Sequence, residues 1–235
     1  MTTNPATGHW LAWIDVETTG LEPATGQLLE IGAIITDLRA TDTIAGFHRV
    51  IDPGQIRITG RNLKAIRMHT ANGLIDECLG QSPVLPEPIH PGTLADTLTD
   101  TMADPADLTG ALNDLLGFLA EQADGIHLHP AGTNVDFDLR FLAFHQPATT
   151  PILDYRKLDL TSLRLAALAN GADPYRHHTP GTHRVLDCLQ RDMDDYRTLL
   201  DHLITTPTAN PHPADDTTRC PICGPTDATD TKEAA

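Results

Sequence analysis

The segment Leu11 to Asp37, LAWIDVETTGLEPATGQLLEIGAIITD, constrains the fold more than any other, because it sets two carboxylates, Asp15 and Glu17, two residues apart inside an apolar run. On a strand, side chains at i and i+2 share a face, so both acids point the same way. Two acids converging from apolar surroundings repel each other and lose hydration unless a divalent cation lies between them. Thr18-Thr19-Gly20 turns the chain directly afterwards, and Gln27 to Thr36 reads as a second long apolar strand carrying one more acid, Glu30. The pattern is a hairpin with acids at its mouth. A bare D-x-E pair is common and usually ordinary surface, so it is the apolar context that argues for a metal.

The rest of the chain reads as a sheet followed by helices. Thr43 to Ile51 is a third strand, ended by the turn Asp52-Pro53-Gly54, which makes the first fifty or so residues an antiparallel meander. Gly80 to Asp107 is rich in Pro, Thr and Asp and reads as a long loop or insertion. Leu108, Ala111, Leu112, Leu115, Leu116 and Leu119 recur at helical spacing, and Gly125 to Ala131 gives a short strand before the turn Gly132-Thr133-Asn134. Helices follow over Phe137 to Phe144, Thr161 to Ala169 and Val185 to Ile204, with a brief strand at Leu158 to Leu160. Residues 205–235 form a Pro, Thr and Asp-rich tail whose composition argues for disorder.

At 235 residues, with 40% hydrophobic and 20% charged content, the chain suits one α/β domain over 10–204 between an N-terminal tail, 1–9, and the C-terminal one. No basic-then-apolar leader and no run of about 18 apolar residues is present, so neither a signal peptide nor a membrane partner is expected. Cys78, Cys188, Cys220 and Cys223 are too few and too uneven for a disulfide framework, which agrees with a reducing cytoplasm. A formal net charge of −16 argues against gripping long nucleic acid through its phosphates, and favours a very short substrate.

DVETTGL followed by LLEIGAIITD resembles the first motif of the DEDDh 3′–5′ exonucleases, a ribonuclease H-like family. Two later segments extend the likeness. In Gly132 to Leu142, GTNVDFDLRFL, Asp138 falls at the family's third carboxylate and Asp136 two residues early; taken alone, such an Asp is a helix cap or surface residue. In Gly181 to Tyr196, GTHRVLDCLQRDMDDY, His183 falls where the family keeps its general base. With an ordinary pKa of about 6.5, a histidine suits that task. The family's last metal-binding Asp stands five residues after the His, and this chain has Cys188 there. Sulfur is a poor match for Mg²⁺, so Cys188 is expected to weaken the site. Asp187 lies one position early, far from the helix stripe Leu186, Leu189, Met193, Tyr196 and Leu200; Asp192, one turn on, lies nearer it. The sequence does not decide which of them serves.

Within that family the chain is most similar to oligoribonucleases. Ile66 to Leu74, IRMHTANGL, resembles their M-H-T-x-S-G-L segment, and Tyr155 to Ser162, YRKLDLTS, resembles Y-R-Y-L-D-V-S-T; Trp13 before Asp15 also agrees. The resemblance implies a central mixed β-sheet flanked by helices. It implies hydrolysis of short single-stranded RNA, dinucleotides above all, to nucleoside 5′-monophosphates, with Asp15, Glu17 and Asp138 holding two Mg²⁺ or Mn²⁺ ions and His183 as base. Tyr155 would sit near the site. His69, Arg156 and Thr161 would cap the substrate's 5′ phosphate, the latter two from the partner of a homodimer, with Asn134 in place of a family Ser and Leu21 as a wedge between bases. Two other classes stay open: a broader exonuclease on single-stranded DNA or RNA, permitted by Asn134 and Thr161, and a nucleotide binder without turnover, suggested by Cys188. In the tail, Cys220 and Cys223 with His212 nearby are half of a zinc site, and no second cysteine pair exists.

Overall fold

A computed structural model describes residues 8–81, 105–174 and 182–205. Strands β1 (His9–Thr18), β2 (Leu28–Asp37) and β3 (Thr43–Asp52) form the antiparallel meander, β2 pairing with both neighbours. Helices α1 (Leu63–Ala71) and α2 (Leu74–Cys78) follow, then a two-residue strand β4 (Ala106–Asp107) and helix α3 (Leu108–Gln122). Strand β5 (His127–Gly132) runs parallel to β1, and β6 (Leu158–Asp159) parallel to β5. Between them lie α4 (Asp136–His145) and a 3₁₀ turn at Pro147–Ile152; α5 (Leu160–Ala169) and α6 (Val185–Thr205) complete the chain of elements. The sheet order is β4-β3-β2-β1-β5-β6. This is the mixed sheet with helices on its faces that the sequence leads one to expect.

Strand β2 is buried nearly end to end, as an inner strand covered on both faces should be. Alternation along β1 then divides the core in two. Ala12, Ile14 and Val16 pack with α3 and α4, through Leu112, Leu115, Leu119, Phe141 and Leu142. Leu11 and Trp13 pack on the other face with Val185, Leu189, Met193 and Tyr196 of α6. Trp13 is fully enclosed, and its indole N–H donates to Thr36 Oγ1 at 2.9 Å, which removes the cost of burying that donor. A third cluster joins Leu29 and Val50 to Ile66, Leu74, Ile75 and Cys78, seating α1 and α2 beside the hairpin.

Contacts divide the chain after Leu200, and of the second unit, 201–235, only the end of α6 is described. Most of the insertion expected between Gly80 and Asp107, and the tail bearing His212, Cys220 and Cys223, lie outside the described residues. Among the described residues no helix is long and apolar enough to cross a membrane.

Candidate active site

The face of β1 that presents Leu11 and Trp13 to α6 continues with Asp15 and Glu17, so the acids begin where the apolar row ends. Asp15 sits opposite Gly32 of β2 and Glu17 opposite Glu30. A Cβ at position 32 would lie 2.4 Å from Val185 Cγ1, so glycine there is what allows the start of α6 to come down on the sheet. That descent brings Cys188 Sγ to 3.9 Å from Glu17 Oε1, and one ligand atom each from Asp15, Glu17 and Cys188 all lie within 4.8 Å of one another.

Electrostatics mark this cluster. The Oδ2 atom of Asp15 is enclosed and has no hydrogen-bond partner. Burial, with the charges of Asp192 and Glu30 adding, raises Asp15 to about 8, against a smaller pull from Arg191. Burial and the charges of Asp15 and Glu30 likewise raise Glu17 to about 9. Burial also pushes the Cys188 thiol up, with Asp15 adding. These groups resist ionising in the bare fold, and a divalent cation is the partner that would reverse this. The carboxylates suit Mg²⁺ or Mn²⁺; the sulfur suits a softer ion.

Glu30 behaves oppositely. Burial works to raise it, but hydrogen bonds from His48 and Arg184 prevail and hold it at about 2. It takes His48 Nε2 at 2.8 Å, Arg184 Nε at 3.0 Å and Nη2 at 2.9 Å, and the N–H of Val185 at 3.1 Å. Glu30 is therefore an anion placed against the N-terminus of α6, and it helps fix Cys188 over the sheet.

Asp138 enters from the first turn of α4. It is buried, and its Oδ1 accepts from the N–H of Val16 at 3.0 Å, satisfying backbone that β5 no longer pairs. Burial, then the neighbouring charge of Asp15, raises it well above its ordinary value. Asp136 is exposed and bonded to Lys157, so of the two acids only Asp138 turns inward. His183 is exposed just before α6 with φ 54°, and Asn72 Nδ2 donates to its carbonyl at 2.8 Å and to that of Thr182 at 2.9 Å. His69 lies on helix α1 and is 1% exposed. Its Nε2 donates to the Thr18 carbonyl at 3.1 Å and lies 3.5 Å from Glu17 Oε2.

Around the last ligand position, Asp187 is exposed and takes a hydrogen bond from Thr182 Oγ1. Asp192 is buried, but its oxygens accept from Thr133 N at 2.7 Å and Thr133 Oγ1 at 2.8 Å, with Arg164 Nη2 at 3.6 Å. Among the described residues, Cys188 is the one whose ligand atom converges with Asp15 and Glu17. The buried stripe of α6 also differs from the expected one. It runs through Val185, Cys188, Leu189, Asp192, Met193, Tyr196 and Leu199, whereas Leu186 and Leu200 are only half-buried, because Gly32 draws Val185 against the sheet and sets the helix's rotation.

The remaining candidates fall into two groups. Asn134, with φ 56°, and Thr161 are drawn together, since both backbone N–H groups donate to Asp159 Oδ1 at 3.1 and 2.9 Å. Tyr155 is 77% exposed, with the Arg156 guanidinium stacked 4.3 Å from its ring centre. The Arg156 carbonyl is bonded to His129, which pairs with Leu11 at the far end of β1 from Glu17. The chain therefore does not gather Tyr155 and Arg156 with its own carboxylates. Leu21 is 76% exposed in the loop between β1 and β2.

Sequence reasoning missed Gly32, His48, Arg184, Asn72 and the Thr133–Asp192–Arg164 network. Arg184, Gly32, Asn72 and Thr133 stand inside the segments that carry the family likeness, but their roles, like those of His48 and Arg164, depend on contacts across eighteen or more residues of chain.

An exonuclease family model matches residues 12–71, the stretch that includes Asp15, Glu17 and His69. An oligoribonuclease of Leifsonia xyli subsp. xyli is 30% identical over 193 residues, which make up 80% of this chain and 82% of that protein. One from Cutibacterium acnes is 28% identical over 215 residues, 89% of this chain and 91% of its own length. A moderately thermophilic Exonuclease I from Methylocaldum szegediense superposes with a TM-score of 0.50 at 14% identity, covering 83% of this chain and 41% of that one. That last likeness speaks for the fold alone.

Proposed function

The chain belongs to the oligoribonuclease-like DEDDh 3′–5′ exonucleases, and from that premise we propose that it hydrolyses short oligoribonucleotides from the 3′ end to nucleoside 5′-monophosphates. The observation that carries the reading is the convergence of Asp15 and Glu17 around an enclosed, unpartnered Asp15 oxygen, with Asp138 against the same strand. Asp15, Glu17 and Asp138 would hold divalent ions, Mg²⁺ or Mn²⁺, whose chemistry there would be to acidify a water and to neutralise phosphate charge.

The chain's own residues do the rest. Asp15, Glu17 and Asp138 provide the anionic oxygens. His183, exposed at the rim with its backbone tied by Asn72, takes the proton of the attacking water. His69 acts from inside, its Nε2–H fixing Thr18 and steadying Glu17, so its part is closer to orientation than to an open phosphate cap. Leu21 offers an apolar surface to a base. The reading that the partner subunit's Arg156 and the partner subunit's Thr161, with Asn134, cap the 5′ phosphate is supported by the place of Arg156, whose carbonyl is bonded to His129 opposite Leu11, at the far end of β1 from Glu17.

The test is hydrolysis of a 5′-phosphorylated diribonucleotide with Mg²⁺ and with Mn²⁺, beside a longer RNA and the Asp15→Ala protein. Metal-dependent release of mononucleotides from the dimer, cut at least about 100-fold by Asp15→Ala, is the expected result. Cleavage of only the longer RNA would replace this reading with the broader exonuclease. Binding without turnover would favour the nucleotide binder, the alternative that Cys188 raises.

A further inference from the structure

We propose that the site of this chain selects a borderline-soft divalent ion of the zinc and cobalt class, held by the carboxylates of Asp15 and Glu17 and the thiolate of Cys188, over Mg²⁺. The proposal rests on the nuclease reading above and revises its metal, from Mg²⁺ or Mn²⁺ to a softer ion at the same site.

Four observations carry it. Cys188 Sγ and Glu17 Oε1 stand 3.9 Å apart, and a tetrahedral ion with bonds of about 2.3 Å to sulfur and 2.1 Å to oxygen spans an edge of about 3.6 Å. A shift of a few tenths of an ångström in the Glu17 side chain closes the gap. Second, the enclosed Asp15 Oδ2 has no hydrogen-bond partner and belongs to the same group of converging atoms. Third, the two nearby carboxylates of the same helix are engaged elsewhere, Asp187 with Thr182 and Asp192 with Thr133 and Arg164. Fourth, Cys188 rides on the first turn of α6, where its N–H donates to the Arg184 carbonyl at 3.0 Å and Arg184 is locked to Glu30, so the backbone that carries the sulfur is fixed over the sheet.

Three protein ligands of mixed O and S type leave one coordination position open, the pattern of catalytic rather than structural zinc sites. Mg²⁺ demands six oxygens at about 2.1 Å and gains nothing from a thiol, whereas Zn²⁺ and Co²⁺ bind thiolate well. Ligation removes the proton of the Cys188 thiol and those that Asp15 and Glu17 retain in the bare fold, all of which pass to the buffer; no redox step is involved.

The test uses the full chain with Cys220→Ser and Cys223→Ser, so that the tail cannot contribute a thiolate. Titrating Co²⁺ into the metal-free protein should produce a sulfur-to-cobalt charge-transfer band in the near ultraviolet, saturating at one ion per chain. Cys188→Ser should abolish the band and weaken Co²⁺ and Zn²⁺ binding by at least about tenfold, while Cys188→Asp should abolish the band and shift preference toward Mg²⁺. Circular dichroism and a melt establish that each variant is folded. No band, or a band that survives Cys188→Ser, overturns the proposal, as does Mg²⁺ binding as tight as that of Zn²⁺ in the parent. Because the readout is optical, a band without RNA hydrolysis would leave this inference standing and remove the nuclease reading, and hydrolysis without a band would do the reverse.

Discussion

At the scale of single residues, the acids of β1 work against the fold in the absence of a cation. Asp15 is ionised in the unfolded chain at pH 7 but raised to about 8 by burial, Asp192 and Glu30 in the folded one, so folding must protonate it. Asp15→Asn keeps the shape and removes that demand. The variant should therefore lose hydrolysis yet gain about 1–2 kcal/mol of stability in EDTA, read from its urea midpoint. A midpoint below that of the parent would show that Asp15 contributes to packing rather than to a metal site. The shared face of Asp15 and Glu17 was legible in the sequence because strand alternation is local, whereas Asp138 was singled out only by the likeness of GTNVDFDLRFL to the exonuclease motif. The surroundings that fix these acids were not legible. Whether His69 is solvent-facing or buried depends on where α1 lands, and no pattern within IRMHTANGL encodes its contact with Thr18.

At the scale of elements, the position of α6 decides the site, and two devices hold it. Gly32 lets Val185 approach, and Glu30 pairs with Arg184 while accepting the Val185 N–H. Gly32→Ala puts a methyl 2.4 Å from Val185 Cγ1 and should cost about 1–3 kcal/mol, with a loss of metal affinity because Cys188 moves with the helix. Glu30→Gln leaves Arg184 and His48 facing a neutral amide in a buried place and should cost about 3–5 kcal/mol. Urea unfolding of both variants, with metal binding followed alongside, checks these outcomes; a neutral Gly32→Ala would mean that α6 tolerates displacement. The three meander strands, α3, α4, α5 and α6 were readable from periodicity. Helices α1 and α2 were not. They are 9 and 5 residues long, are interrupted by Asn72 and Gly73, and bury few side chains, so neither gives enough turns for a helical period to stand out. Two-residue β4 and the 3₁₀ turn at Pro147–Ile152 are set by contacts alone.

At the scale of the whole molecule, the raised and lowered carboxylates together fix how stability responds to pH. Asp15 moves from 3.8 to about 8 and Glu17 from 4.5 to about 9 on folding without metal, so the stability tied to their protonated forms is fully present below about pH 4 and is lost as pH rises through 8–9. Glu30, lowered from 4.5 to about 2, has the opposite sign: its contribution is present above pH 4.5 and is lost as pH falls toward 2. Between pH 5 and 8 the first effect governs, with a slope of about 1.4 kcal/mol per pH unit for each proton the folded state retains. The urea midpoint in EDTA should therefore fall steadily from pH 5 to pH 8. Asp15→Asn combined with Glu17→Gln should flatten the decline, and a saturating divalent ion should do the same, because ligation ionises the carboxylates in the folded state. The net charge of −16 also favours unfolding as pH rises, but that repulsion lies largely on the surface, so 0.5 M salt screens it and leaves the buried contribution. A midpoint in EDTA that rises toward pH 8 in high salt would mean that these two acids are not held protonated, and with it would go the argument that the bare site is waiting for a cation.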